Sequence, residues 1–68
     1  MKNSVKTTRR AKELTQEALA ELLGVSRQTI ISIESGRYVP STVLALKIAK
    51  YLGKSVEELF ELDKSDLN

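Results

Sequence analysis

The stretch Thr15-Gln16-Glu17-Ala18-Leu19-Ala20-Glu21-Leu22-Leu23-Gly24-Val25-Ser26-Arg27-Gln28-Thr29-Ile30-Ile31-Ser32-Ile33-Glu34 decides how the rest of the chain is read. It spells a short helix, a tight turn and a second short helix. Thr15 offers a hydroxyl to an amide of the first turn, as a good N-cap does. Ala18, Leu19, Ala20, Leu22 and Leu23 are strong helix formers, and Gln16, Glu17 and Glu21 are left for the wet side. Gly24 supplies the positive φ of a sharp helix exit. Ser26 caps the next helix almost at once, so the two axes meet at a steep angle, as in a helix-turn-helix.

At about 100° per residue, Ser26, Thr29, Ile30 and Ile33 fall on one side of the second helix. Arg27, Gln28, Ile31, Ser32 and Ser35 fall on the other. That outer face begins with an Arg and a Gln, side chains able to pair with base edges. It carries no acid. A merely solvated face would more often mix Glu with Lys.

The run LTQEALAELLGVSRQTIISIESGRYVPS, followed by LALKIAKYLGKSVEELF, resembles the phage-repressor-like (Cro/Xre-type) helix-turn-helix regulators. Gln16, Ala20, Gly24, Ile30 and Ile33 sit at that family's spacing, and the match covers roughly residues 5 to 62. The resemblance implies a lambda-repressor-like DNA-binding fold: an all-α, compact bundle of about five short helices around the central motif. It also implies that an arginine at Arg9 pairs with an acid at Glu34, tying the first helix to the end of the second motif helix. By wheel position alone Glu34 lies near the margin of the dry face, and the two could be unrelated surface charges.

Sixty-eight residues suit one small domain, read as 1–68 with a core of about 5–62 and a tail of 63–68. A domain this short is marginal alone and leans on tight helix packing or a partner subunit. With no Cys and no His, disulfides and His/Cys zinc clusters are excluded. No cofactor, metal or small-molecule ligand is expected. No signal peptide is visible and no run approaches the ~20 apolar residues of a membrane span, so a cytoplasmic protein without membrane contact is the expectation.

The net charge of +2 says little, but its distribution says more. Residues 1–12 carry +5, residues 13–38 carry −2, residues 39–54 carry +3 and residues 55–68 carry −4. A basic front and an acidic tail suit a protein that meets a polyanion at one end. Charge alone fits a solvated basic helix equally well.

From about Asn3 or Ser4 to Lys12 the chain reads as a first helix, with Val5 and Thr8 facing inward. The family usually has leucine at Thr8 and often glycine at Glu13, so the end of this helix lacks its easy left-handed residue. Gly36-Arg37-Tyr38-Val39-Pro40 is a loop, with Pro40 keeping Val39 extended. Ser41 caps a helix that ends at Gly53 and turns Leu46, Ile48, Ala49 and Leu52 inward, with Lys47 and Lys50 outside. Ser55-Val56-Glu57-Glu58 is a capping box opening a last short helix, with Val56, Leu59 and Leu62 inward. Residues 63–68 read as a frayed end, and no strand is expected.

These elements predict a sequence-specific reader of double-stranded DNA, acting as a small transcriptional regulator and, by resemblance, a repressor. Base contacts fall to Arg27, Gln28, Ile31 and Ser32. Arg27 suits guanine O6 and N7, Gln28 suits adenine N6 and N7, and Ile31 suits a thymine methyl unless it packs on a neighbouring helix. Phosphate contacts fall to Gln16 and Ser26 at the helix starts and to Arg37 in the loop. Repressors of this type act as homodimers on palindromic operators with half-sites about one helical turn apart, roughly 34 Å. Tyr38, Val39, Val43, Phe60 and Leu62 are the candidate dimer contacts, each of which could equally be core.

An enzyme is disfavoured, since no glycine-rich phosphate loop and no placed pair of carboxylates stands out. The rival is an antitoxin-like subunit that grips another protein and also binds DNA. Its acidic tail offers little apolar surface for such a grip.

Overall fold

The computed structural model describes residues 1–68. In chain order the elements are β1 (Lys2–Asn3), α1 (Val5–Ala11), α2 (Gln16–Leu23), α3 (Arg27–Glu34), α4 (Thr42–Leu52), α5 (Val56–Leu59), β2 (Phe60–Glu61) and α6 (Lys64–Leu67). Four helices start on a hydroxyl. Thr15 accepts from the Ala18 amide at 3.0 Å, Ser26 from Thr29 at 3.2 Å, Ser41 from Leu44 at 3.2 Å and Ser55 from Glu58 at 3.1 Å. Ser55 and Glu58 complete a capping box, the Ser55 amide donating to Glu58 Oε1 at 2.9 Å. The Ser55 amide first, and then the Ser55 hydroxyl, hold the Glu58 carboxyl below its usual range.

Helix ends follow one pattern. Gly24 and Gly53 take φ of 72° and 67°, and the following amide reaches back five residues, Val25 to Ala20 at 3.0 Å and Lys54 to Ala49 at 3.1 Å. Glu13 does the same after α1 without being glycine. Its φ is 58°, and the Leu14 amide reaches Arg9 O at 3.2 Å. The missing glycine therefore does not extend α1; the left-handed turn forms on a glutamate. A left-handed backbone crowds Cβ against the following carbonyl, at about 1–2 kcal/mol for a non-glycine residue. Glu13→Gly relieves that strain but adds freedom to the unfolded chain. The expected net gain is about 0.5–1 kcal/mol, seen as a rise in melting temperature of a few degrees by calorimetry.

One cluster of thirteen buried side chains forms the core: Val5, Leu19, Ala20, Leu23, Ile30, Ile33, Leu44, Ala45, Ile48, Ala49, Leu52, Leu59 and Phe60. Leu14, Val25, Val56 and Met1 pack against its rim, and Thr8 is half-buried. The core face of α4 is Leu44, Ala45, Ile48, Ala49 and Leu52, while Leu46 is 57% exposed. Leu46 and Ile48 stand about 200° apart on a helix, so both cannot face one core.

Three expectations for the C-terminal region are corrected. The helical spacing that placed Leu62 inward does not apply, because the chain turns extended at Phe60, with φ −124° and ψ 136°. Phe60 is buried in the core and is unavailable as a dimer contact, whereas Leu62 is exposed. Secondly, a short two-stranded antiparallel ladder exists, pairing Lys2 with Glu61 and Asn3 with Phe60. It ties the start of the chain to the end of α5, with the Ser4 amide donating to Leu59 O at 2.8 Å. Thirdly, residues 64–67 form a helical turn rather than a frayed end. Asp63 caps it, accepting from the Asp66 amide at 3.2 Å, and Asp66 returns the bond to the Asp63 amide at 3.0 Å. The Met1 ammonium lies 3.3 Å from both Asp63 and Asp66. Asp66 and Asp63 raise its pKa above the usual 8.0, and Ser65 and the Asp66 amide hold Asp63 well below the usual carboxylate range.

Candidate nucleic-acid interface

The outer edge of the motif is built on α2 and α3. Ile30 and Ile33 anchor α3 in the core, which turns the opposite side outward. Arg27 and Gln28, its first two residues, are exposed, while Ile31 and Ser32 are half-buried. Ser26 and Thr29, read from the wheel as part of the dry face, are exposed and half-buried respectively. The Ser26 hydroxyl is occupied in capping, accepting from the Thr29 amide and sharing a 3.0 Å bond with the Thr29 hydroxyl. The dry face of α3 is thus narrower than its sequence spacing implies.

Two open grooves, each of about 410 Å³, flank α3. The first is lined by polar and charged residues alone: Arg9, Thr15, Gln16, Glu17 and Arg27. The second runs past Gln28 and Ser32 to Tyr38 and Leu44. Arg37 is exposed beyond the end of α3, where its Nε donates to Ser35 Oγ at 3.3 Å. The loop that carries it is folded back onto the helix, since the Arg37 and Tyr38 amides donate to Ser32 O at 3.0 and 3.1 Å.

Behind the first groove lies a buried ion pair between Arg9 and Glu34. The Arg9 side chain is 8% exposed and that of Glu34 4%. Arg9 Nε donates to Glu34 Oε2 at 2.7 Å and Nη2 donates to Oε1 at 3.3 Å. Nη1 donates to Leu14 O at 2.7 Å. This fork geometry satisfies a buried guanidinium on two edges, and no buried side-chain polar atom of the chain is left unbonded. Gln16 extends the network outward: Nε2 donates to Glu34 Oε1 at 3.1 Å, and its Oε1 accepts from Arg27 Nε at 3.4 Å. Arg27 Nη1 also lies 3.6 Å from Glu17 Oε1. A chain of polar contacts thus runs from the end of α1, through the end of α3, to the starts of α2 and α3.

Two residues that orient α3 and α2 carry no sequence signal. Asn3 Nδ2 donates to Ile33 O at 2.9 Å, and Asn3 Oδ1 accepts from the Val5 amide at 3.1 Å, so β1 holds the last turn of α3. Lys47, assigned above to solvent, donates to Leu23 O at 3.0 Å and satisfies the carboxyl end of α2. Both act across 24 or more residues of sequence.

Among the candidate dimer contacts Tyr38, Val39, Val43 and Leu62 are exposed. Leu46, three residues after Val43, extends the exposed apolar strip of Val39 and Val43 along α4. No helix is long and apolar enough to cross a membrane.

Known proteins are similar to this chain in sequence and in fold. The general model of the helix-turn-helix family matches residues 5–59. An uncharacterised HTH-type transcriptional regulator of Methanocaldococcus jannaschii is 58% identical over 60 residues, covering 88% of this chain and 91% of that protein. The uncharacterised HTH-type transcriptional regulator YgzD of Bacillus subtilis is 47% identical over 66 residues, covering 97% of this chain and 100% of that protein. Among solved structures, the restriction-modification controller protein C.AhdI of Aeromonas hydrophila superposes with a TM-score of 0.75 at 39% identity, over 82% of this chain and 85% of the other. The clp gene regulator ClgR of Corynebacterium glutamicum superposes with a TM-score of 0.73 at 32% identity, over 78% of this chain and 56% of the other. The fold, the capped pair α2–α3 and these likenesses lead to one conclusion: the chain belongs to the helix-turn-helix family of transcriptional regulators, of the Cro/Xre type.

Proposed function

We propose that residues 1–68 act as one sequence-specific DNA-binding domain, a cytoplasmic repressor that reads a palindromic operator as a homodimer without cofactor or small-molecule ligand. The observation that carries this reading is the pair Arg27 and Gln28. Both are exposed at the start of a helix whose inner face is locked by Ile30 and Ile33, beside a polar groove at the start of α2. In this scheme α3 enters the major groove N-terminus first. Arg27 bonds a guanine and Gln28 an adenine, while the half-buried Ile31 and Ser32 make closer, secondary contacts with the base edges. Gln16, with one amide proton on Glu34, offers the other to a phosphate. Ser26 and Arg37 add contacts of the same kind.

Each half-site module is small, and exposed apolar side chains continue from the loop after α3. Tyr38, Val39, Val43 and Leu46 are the surface on which a second copy would sit, with Leu62 as a further candidate. Selection of bound sites from a random duplex pool tests the whole reading. The expected outcome is an inverted repeat with half-sites about one helical turn apart, roughly 34 Å. Recovery of no common sequence would rule out a specific operator.

Arg37 provides a separate check, because phosphate contacts are blind to sequence. Arg37→Ala is expected to weaken binding to the selected and to a random duplex by the same factor. It should also reduce the slope of log K against log salt by about 1, measured by a salt titration of fluorescence anisotropy.

A further inference from the structure

We propose that Glu17 is a positioning residue for Arg27 and thereby a determinant of sequence discrimination. The inference rests on the reading of Arg27 as a base contact. Arg27 is held at two nitrogens, Nε on Gln16 Oε1 at 3.4 Å and Nη1 near Glu17 Oε1 at 3.6 Å. Nη2 makes no hydrogen bond within the chain, so the outer end of the fork is the part left to meet a ligand. Gln16 is itself fixed to the buried Glu34, which gives the arrangement a rigid base. Glu17 sits in the first turn of α2, where the helix dipole favours a carboxylate, on the wall of the polar groove.

The carboxylate changes what Arg27 prefers. An unneutralised arginine at a DNA surface is attracted to any phosphate, and this attraction is the same for every sequence. With Glu17 beside it the pair carries no net charge, and a phosphate also meets the repulsion of the carboxylate. The remaining N–H donors still suit guanine O6 and N7, which are uncharged acceptors. Glu17 thus weakens the sequence-blind use of Arg27 more than the base-reading one, and holds the fork in register for the latter. As an ion pair it contributes little to stability, since its side chains are 57% and 77% exposed.

The test is Glu17→Gln in the full chain, with affinity measured for the selected operator and for a random duplex at one salt concentration. Melting temperature should fall by no more than a few degrees, from the loss of a carboxylate at the start of α2. Binding to the random duplex should tighten more than binding to the operator, so their ratio falls about three- to tenfold, a part of what one bidentate base contact supplies. The loss of preference should be confined to the base pair read by Arg27. In an Arg27→Ala background the same substitution should leave the ratio untouched. Equal tightening on both duplexes, or an effect that persists without Arg27, would show that Glu17 acts as a nearby charge and overturn the proposal. If Arg27→Ala alone leaves discrimination intact, the base-reading assignment itself is lost. If it abolishes discrimination while Glu17→Gln does not alter it, only the role of Glu17 is lost.

Discussion

Arg9→Met is expected to be as damaging as truncating a fully buried core residue. Removing the guanidinium leaves the Glu34 carboxylate, 4% exposed, with Gln16 as its one remaining side-chain partner. It also strips Leu14 O of its 2.7 Å bond. Breaking one side of such a pair costs about 3–5 kcal/mol, because a buried charge remains uncompensated. A domain of this size has a total stability of roughly 3–10 kcal/mol, so the variant should be largely unfolded at 37 °C. Where a transition can still be followed, its midpoint should drop by about 15–30 °C. Adding Glu34→Leu removes the stranded charge and should recover part of the loss, though not the Leu14 and Gln16 bonds. Circular dichroism melts of the two variants decide the matter. A single variant within 1 °C of the parent would mean that Glu34 is hydrated in solution and the pair contributes nothing.

The second large effect is on recognition rather than stability. Arg27→Ala removes an exposed side chain whose intramolecular contacts are a 3.4 Å hydrogen bond and a 3.6 Å ion pair, so the fold should be unaffected. On the selected operator the loss should be about 1–3 kcal/mol, or roughly five- to 150-fold in Kd, with preference relaxed at one base pair. On random duplex the change should be much smaller. Competition binding with operators altered one position at a time measures both. Equal loss on operator and random duplex would move Arg27 into the class of phosphate contacts, leaving Gln28 as the first base-reading candidate.

These two arginines differ in how far the sequence disclosed them. Arg27 was reached from the residues themselves, as the first position of a capped helix on the side away from Ile30 and Ile33. Arg9 was not, because two charges 25 residues apart carry no pairing signal of their own. Only the family resemblance suggested the partner. The polar link from Glu34 through Gln16 to Arg27 has no local signature for the same reason, and nothing in the spacing of Gln16 marks its two internal bonds.

What the sequence determined alone is the set of features governed by neighbours three to five residues away. Thr15, Ser26, Ser41 and Ser55 start helices, Gly24 and Gly53 end them, and the apolar spacing of α3 selects Ile30 and Ile33 for the core, whereas the apolar run of α2 does not separate the buried Leu19 and Leu23 from Leu22, which is 45% exposed. These depend on hydroxyl-to-amide reach, backbone sterics and helical period, all local quantities. Tertiary structure decided the rest. It paired Lys2–Asn3 with Phe60–Glu61, pinned α3 through Asn3 and α2 through Lys47, buried Phe60 and left Leu46 outside. Each of these follows from which segments meet in space, and no local pattern of side chains encodes that meeting.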